Sequence, residues 1–304
     1  MLHIPVQILA NNHEFNRYIL DCVQSLKSQL GVGTKYCLTI NVVTYEPVSK
    51  QLSERLCQLA EEHVAVNHIR IERSCGYGEK QNLIWTEYTK RLQTPFDAFL
   101  TINPDIILMP DVIDKLYETF ASGDDVNIVE ARQFPIENPP RVFDTETLEV
   151  NWCSGACILI SASFFERCGG FDEAIFLYCE DVDLSWRAWL DGGRCLYRYD
   201  AVVAHMTQGL FEKRYNPNSV AAHEENMALS YLILAWKYFS TDEQDFAEKM
   251  DFFRDNQWLT ERTKENAIER LEALKPRLTR YAETHPRIEI RNFGVYSGMR
   301  SDLI

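Results

Sequence analysis

Three places in the sequence put ionisable side chains where a chain would turn, and each has the makings of group-transfer chemistry. The first is Asn103-Pro104-Asp105, directly after the apolar run Phe96–Ile102. A carboxylate at the end of a strand is a natural anchor for a divalent cation, although the same string is also an ordinary turn. The second is Glu180-Asp181-Val182-Asp183, at the head of a helical pattern. The helix dipole there favours ionised carboxylates, which suits a general base and equally suits a plain capping cluster. The third is His205, at the end of the short run Ala201–Ala204, as a metal ligand or simply a histidine that ends a strand.

The elements that must position these groups alternate between strand and helix patterns. Strands are expected at Val6–Leu9, Cys37–Val43, Val66–Ile71, Phe96–Ile102 and Val126–Ala131, with helices between them, among them Asp111–Phe120. Such alternation implies an α/β fold with a mostly parallel sheet flanked by helices, whose ligands bind at the carboxyl ends of the strands. That rule selects Asn11, Ser74-Cys75-Gly76 and Asn103–Asp105. A proline-rich stretch, Pro135–Glu149, reads as a loop. Cys157–Ile160 then reads as a strand, Ala162–Arg167 and Leu184–Leu190 as helices, and Arg194–Tyr199 and Ala201–Ala204 as two short strands. From about Ser219 the pattern is helical. The expected division is a 1–215 α/β domain and a 216–304 helical extension.

Several spaced residues occur together in a recognisable order. They are Gly155, the turn Gly169-Gly170-Phe171-Asp172-Glu173, Tyr178 with Glu180–Leu184, then Arg187, Gly192 and His205, with Leu100–Asp105 upstream. This set resembles glycosyltransferase family 2, the inverting nucleotide-sugar-dependent enzymes of the GT-A fold. The likeness is closest to rhamnosyltransferase-like members that build bacterial polysaccharides, and it covers roughly residues 4–210. The resemblance implies that Asp181 is the base that deprotonates the acceptor hydroxyl, with Glu180 beside it orienting substrate. It implies that Asp105 and His205 hold Mn²⁺ or Mg²⁺, with Asn103 standing where the family's more common motif has a first acid. For the nucleotide-sugar it points to Asn11, Glu46, Gly76, Gln81, Asn103, Asp105 and Gly155. The implied reaction moves a sugar from a UDP- or dTDP-linked donor onto a saccharide, free or lipid-linked. Two competitors are a catalytically silent subunit with this fold and a sugar nucleotidyltransferase. The latter calls for a basic, glycine-rich phosphate loop near the N-terminus, where Val6–Arg17 offers only Arg17.

Composition narrows the partners. Of 304 residues, 31 are Lys or Arg and 45 are Asp or Glu, a formal charge of −14 that argues against nucleic acid as a partner. At 46% hydrophobic and 25% charged the chain is an ordinary globular one. It has no apolar run of about 20 residues and no basic segment at its start, so a cytoplasmic location is expected, at most peripheral to the inner face of a membrane. The nine cysteines include no C-x-x-C pair and read as reduced and structural. Residues 261–304 carry nine basic and seven acidic residues, leaving −16 on the rest. The C-terminal helical segment also carries an apolar stripe, which together with this net-positive region fits an anionic membrane surface. The mixed charges favour instead a helical cap against the core or against a second subunit of a homodimer.

Overall fold

Strands that read as continuous apolar runs must be covered on both faces, and the order of this chain supplies the cover by inserting helices between them. The computed structural model describes residues 1–10, 18–44, 49–72, 75–137, 141–206, 217–239, 243–255 and 259–288. In chain order the elements are β1 (Leu2–Ala10), α1 (Ile19–Lys27), β2 (Tyr36–Thr44), α2 (Lys50–Gln58), β3 (Val64–Arg70), α3 (Tyr77–Glu87), β4 (Ala98–Ile102) and β5 (Ile106–Leu108). They continue with α4 (Val112–Phe120), β6 (Val126–Phe134), β7 (Cys157–Ser161), α5 (Ala162–Arg167), α6 (Glu180–Leu190) and β8 (Arg194–His205). Three helices close the described chain, α7 (Pro217–Tyr238), α8 (Glu243–Arg254) and α9 (Glu261–Leu274).

The eight strands form one sheet in the order β3-β2-β1-β4-β7-β6-β8-β5. It is parallel through β3, β2, β1 and β4. β7 then runs antiparallel to both neighbours, and β8 runs parallel to β6. This pattern leaves β1, β2, β3, β4, β6 and β8 ending on the same edge of the sheet. β7 begins there, with Cys157 opposite Ile102, and so does β5, with Ile106 opposite His205. The edge therefore collects the ends of β4, β6 and β8 and the turn before β7.

Two elements differ from the sequence reading. The stretches 194–199 and 201–204 are one strand, β8, whose register against β6 slips so that Ala131 faces Arg198 but Arg132 faces Val202. β5, only three residues long, carries no periodicity of its own and closes the sheet as an antiparallel edge strand.

The apolar stripe of the C-terminal helices is buried inside the protein. Leu229, Leu232, Ile233 and Trp236 of α7 share a core with Val182 and Trp186 of α6 and with residues of α8 and α9. Trp186 meets Tyr238 edge-on at 5.0 Å. Among the described residues no helix is long and apolar enough to cross a membrane. The Asp183–Arg187 pair, which i,i+4 spacing presents as surface decoration, is buried. Arg187 donates to Asp183 at 2.8 Å, and the Lys237 ammonium of α7 contacts both Asp183 and Asp172. None of the nine cysteines forms a disulfide.

Candidate active site

Asp105 lies in the turn between β4 and β5, and His205 ends β8 beside it. Both are buried, and His205 Nε2 is 3.2 Å from Asp105 Oδ2. The other ring nitrogen, Nδ1, is 2.8 Å from Gln133 Oε1, and Gln133 Nε2 donates to Ser154 Oγ at 3.2 Å. An amide oxygen only accepts, so Nδ1 carries the ring proton in this arrangement. Nε2 faces the acidic oxygen of Asp105, close enough for the two atoms to share a proton or a bound cation. Among the described residues no group of three or more His, Cys, Asp or Glu side chains could hold a metal. Asp105 and His205 are the carboxyl and imidazole that this edge brings together.

The carboxylates of α6 face the same edge. Tyr178 and Cys179, just before the helix, both take left-handed backbone conformations, with φ of 69° and 64°. Neither is glycine, so the turn is strained, and it delivers Glu180 and Asp181 onto the first turn of the helix. Asp181 Oδ2 accepts from the Gly155 N–H and Oδ1 from the Val182 N–H, each at 2.8 Å. The Asn103 N–H donates to the Ala156 carbonyl, which joins this turn to the strand end that carries Asp105. Burial raises the Asp181 carboxyl, opposed by its backbone N–H bonds and by the Arg141 guanidinium. Burial together with the Asp181 charge pushes Glu180 up to about 8. Glu180 Oε2 is buried with no hydrogen-bond partner. The two carboxyls thus differ in their partners: burial raises both, but Asp181 has two N–H donors that favour its ionised form and Glu180 Oε2 has none.

The remaining residues nominated from the sequence divide into three groups. Asn11 and Glu46 lie outside the described residues. Asn103 and Gly155 sit at the edge through the backbone bonds just given. A methyl group on Gly155 would meet Asp181 only at ordinary contact distance, 3.5 Å, so its N–H matters more than its lack of a side chain. Gly76 and Gln81 have protein for immediate partners. A Cβ on Gly76 would come within 2.6 Å of the Phe176 carbonyl oxygen, and the Tyr77 N–H donates to that oxygen at 2.8 Å. Gln81 is fully buried and donates to the Tyr77 hydroxyl at 3.0 Å. The glycine-rich turn therefore seats the loop that leads into α6.

Several participants were not found from the sequence. Arg141 stretches from the 135–149 loop to Glu130 on β6, with Nη2 at 2.7 Å and Nε at 3.0 Å from Oε1, and lies 4.1 Å from the Trp152 ring. Glu130 and Gln133 are polar residues buried in β6, whose exposed residues are Arg132 and Phe134. A buried polar group needs a partner, and that was the available signal.

No protein-family model matches the chain. Rhamnosyltransferase WbbL of Escherichia coli K12 is 30% identical over 226 residues, 64% of this chain and 80% of that protein. The chain belongs to the rhamnosyltransferase-like glycosyltransferases of family 2. An N-acetylglucosaminyl-diphospho-decaprenol L-rhamnosyltransferase of Mycobacterium tuberculosis is 38% identical over 86 residues, 28% of this chain and 27% of that protein. The mannosyltransferase PcManGT from Pyrobaculum calidifontis, in complex with GDP-Man and Mn²⁺, superposes with a TM-score of 0.60 at 14% identity, over 98% of this chain and 81% of that one. At that identity the likeness speaks for the fold, which is the GT-A type expected. The protein is a glycosyltransferase, an enzyme of glycan biosynthesis.

Proposed function

We propose that this glycosyltransferase is a metal-dependent inverting enzyme. It takes a sugar from a UDP- or dTDP-linked donor and places it on a hydroxyl of a saccharide acceptor. The acceptor class we infer is a lipid-linked saccharide, as in the name of the mycobacterial relative. The observation that carries the reading is the pairing of Asp181 with two backbone N–H donors at a sheet edge that also holds Asp105 and His205.

In the proposed reaction the acceptor oxygen attacks the anomeric carbon from the face opposite the diphosphate. Its proton passes to Asp181 as the new C–O bond forms and the bond to the diphosphate breaks. A base serves here if it is ionised before the step, and two N–H bonds favour that form of Asp181 against the burial that raises its carboxyl. Glu180, protonated at neutral pH, is an O–H donor for a substrate oxygen, which fits an orienting role. Asp105 and His205 would hold Mn²⁺ or Mg²⁺, and the bound ion would supply positive charge to the departing diphosphate.

Asp181→Asn tests the assignment. Donor binding, followed by calorimetry with UDP, dTDP and GDP in Mn²⁺, should be nearly unchanged. Turnover with a matching donor should fall by at least about 10²- to 10⁴-fold, the usual contribution of general base catalysis. Retained turnover would place the base elsewhere.

A further inference from the structure

We propose that Gln133 is a positioning residue for the cation site, presenting His205 to the metal and tying that histidine to the support of the base. The proposal rests on the reading of Asp105 and His205 as the cation ligands. A histidine binds a metal through an unprotonated nitrogen, and the ring is held by what its other nitrogen meets. In this chain that partner is Gln133 Oε1, at 2.8 Å from Nδ1. Accepting from Nδ1 makes Nε2 the nitrogen turned to the cation site, aimed at Asp105 Oδ2 3.2 Å away.

The amide is itself fixed. Gln133 is 2% exposed, stands opposite Val203 in the β6–β8 pairing, and donates through Nε2 to Ser154 Oγ. Its backbone N–H donates to Glu137 Oε1 at 2.8 Å, and that oxygen also accepts from the Tyr197 hydroxyl at 2.6 Å. Ser154 precedes Gly155, whose N–H holds Asp181. One continuous path of hydrogen bonds and peptide links therefore runs from His205, the neighbour of Asp105, through Gln133 and Ser154 to Asp181. A neutral acceptor is the economical choice at this point. Asp105 already stands against the other ring nitrogen and Glu137 against the Gln133 backbone N–H, and another buried charge would need its own partner.

The test is Mn²⁺ uptake by the full chain, read from the EPR signal of free Mn²⁺ as MnCl₂ is titrated in separate samples with UDP, dTDP or GDP. Gln133→Leu should keep the wild-type melting temperature and lose about 10- to 100-fold in Mn²⁺ affinity, the usual cost of removing such an outer partner. Gln133→Glu retains an acceptor toward Nδ1, lets Ser154 donate, and should restore affinity close to wild type. Ser154→Ala frees the amide and should weaken Mn²⁺ binding with an unchanged melting temperature. A folded Gln133→Leu that binds Mn²⁺ as tightly as wild type overturns the proposal. If the leucine variant does not fold, Ser154→Ala decides, and unaltered affinity there overturns it as well. Wild-type protein that takes up no Mn²⁺ with any of the three diphosphates would instead overturn the cation reading itself, and this proposal with it.

Discussion

At the scale of single residues, the most consequential contrast is between two neighbouring carboxyls. Asp181 has two backbone N–H donors, whereas Glu180 Oε2 has none. Glu180 moves from an ordinary value of 4.5 up to about 8, with burial the larger cause and Asp181 the second. The folded state therefore holds the Glu180 proton more tightly than the unfolded chain does. The stability this contributes is complete below pH 4.5 and is lost as pH rises through about 8. Glu180→Gln should accordingly raise the melting temperature relative to wild type at pH 9, with the advantage shrinking toward pH 4. Thermal unfolding across that range checks the sign. A variant less stable than wild type at pH 9 would mean that Glu180 is ionised and well partnered.

At the scale of elements, α6 is held from two sides. Its first turn is set by the strained Tyr178-Cys179 turn, and its middle is anchored to α7 through Lys237, Asp183 and Arg187. Burial alone would raise Asp183, but Arg187 and Lys237 outweigh it and hold the carboxyl at about 2. That contribution is present above its ordinary 3.8 and is lost as pH falls through about 2. Lys237→Met removes one partner from a buried network and should cost about 3–5 kcal/mol in urea unfolding with an unchanged m value. A loss under about 1 kcal/mol would show that Arg187 and Tyr238 suffice for Asp183. These elements also mark what could be read in advance. The apolar periodicity of β1, β2 and β4 and the spacing around Glu180 were legible, because local pattern determines them. β5 was too short to show a pattern, and Lys237 could not be matched to Asp183, 54 positions away in sequence. Gln133 was missed for the same reason: its partners lie on β8 and in the turn before β7.

At the scale of the whole molecule, the sequence pattern divides near residue 215, whereas the core does not. Val182 and Trp186 of the site-bearing helix are packed by Leu229, Leu232, Ile233 and Trp236, all beyond that point. The chain also returns to the sheet side after α9. Arg287 reaches Glu149, with His285 stacked 4.9 Å from Trp189. A chain ending at Tyr215 would uncover large side chains each worth about 1.5–3 kcal/mol of burial and would strip Lys237 from Asp183. Domain stabilities are only about 5–15 kcal/mol, so losses at Val182, Trp186, Trp152 and Ile175 together are enough to abolish folding. The full chain should therefore unfold in one transition, with circular dichroism and tryptophan fluorescence coincident, and the truncated chain should show no cooperative transition. A truncated chain that melts sharply would make residue 215 a true domain boundary. Failure of the truncated chain would mean instead that the C-terminal helices are part of what holds Glu180 and Asp181 in place.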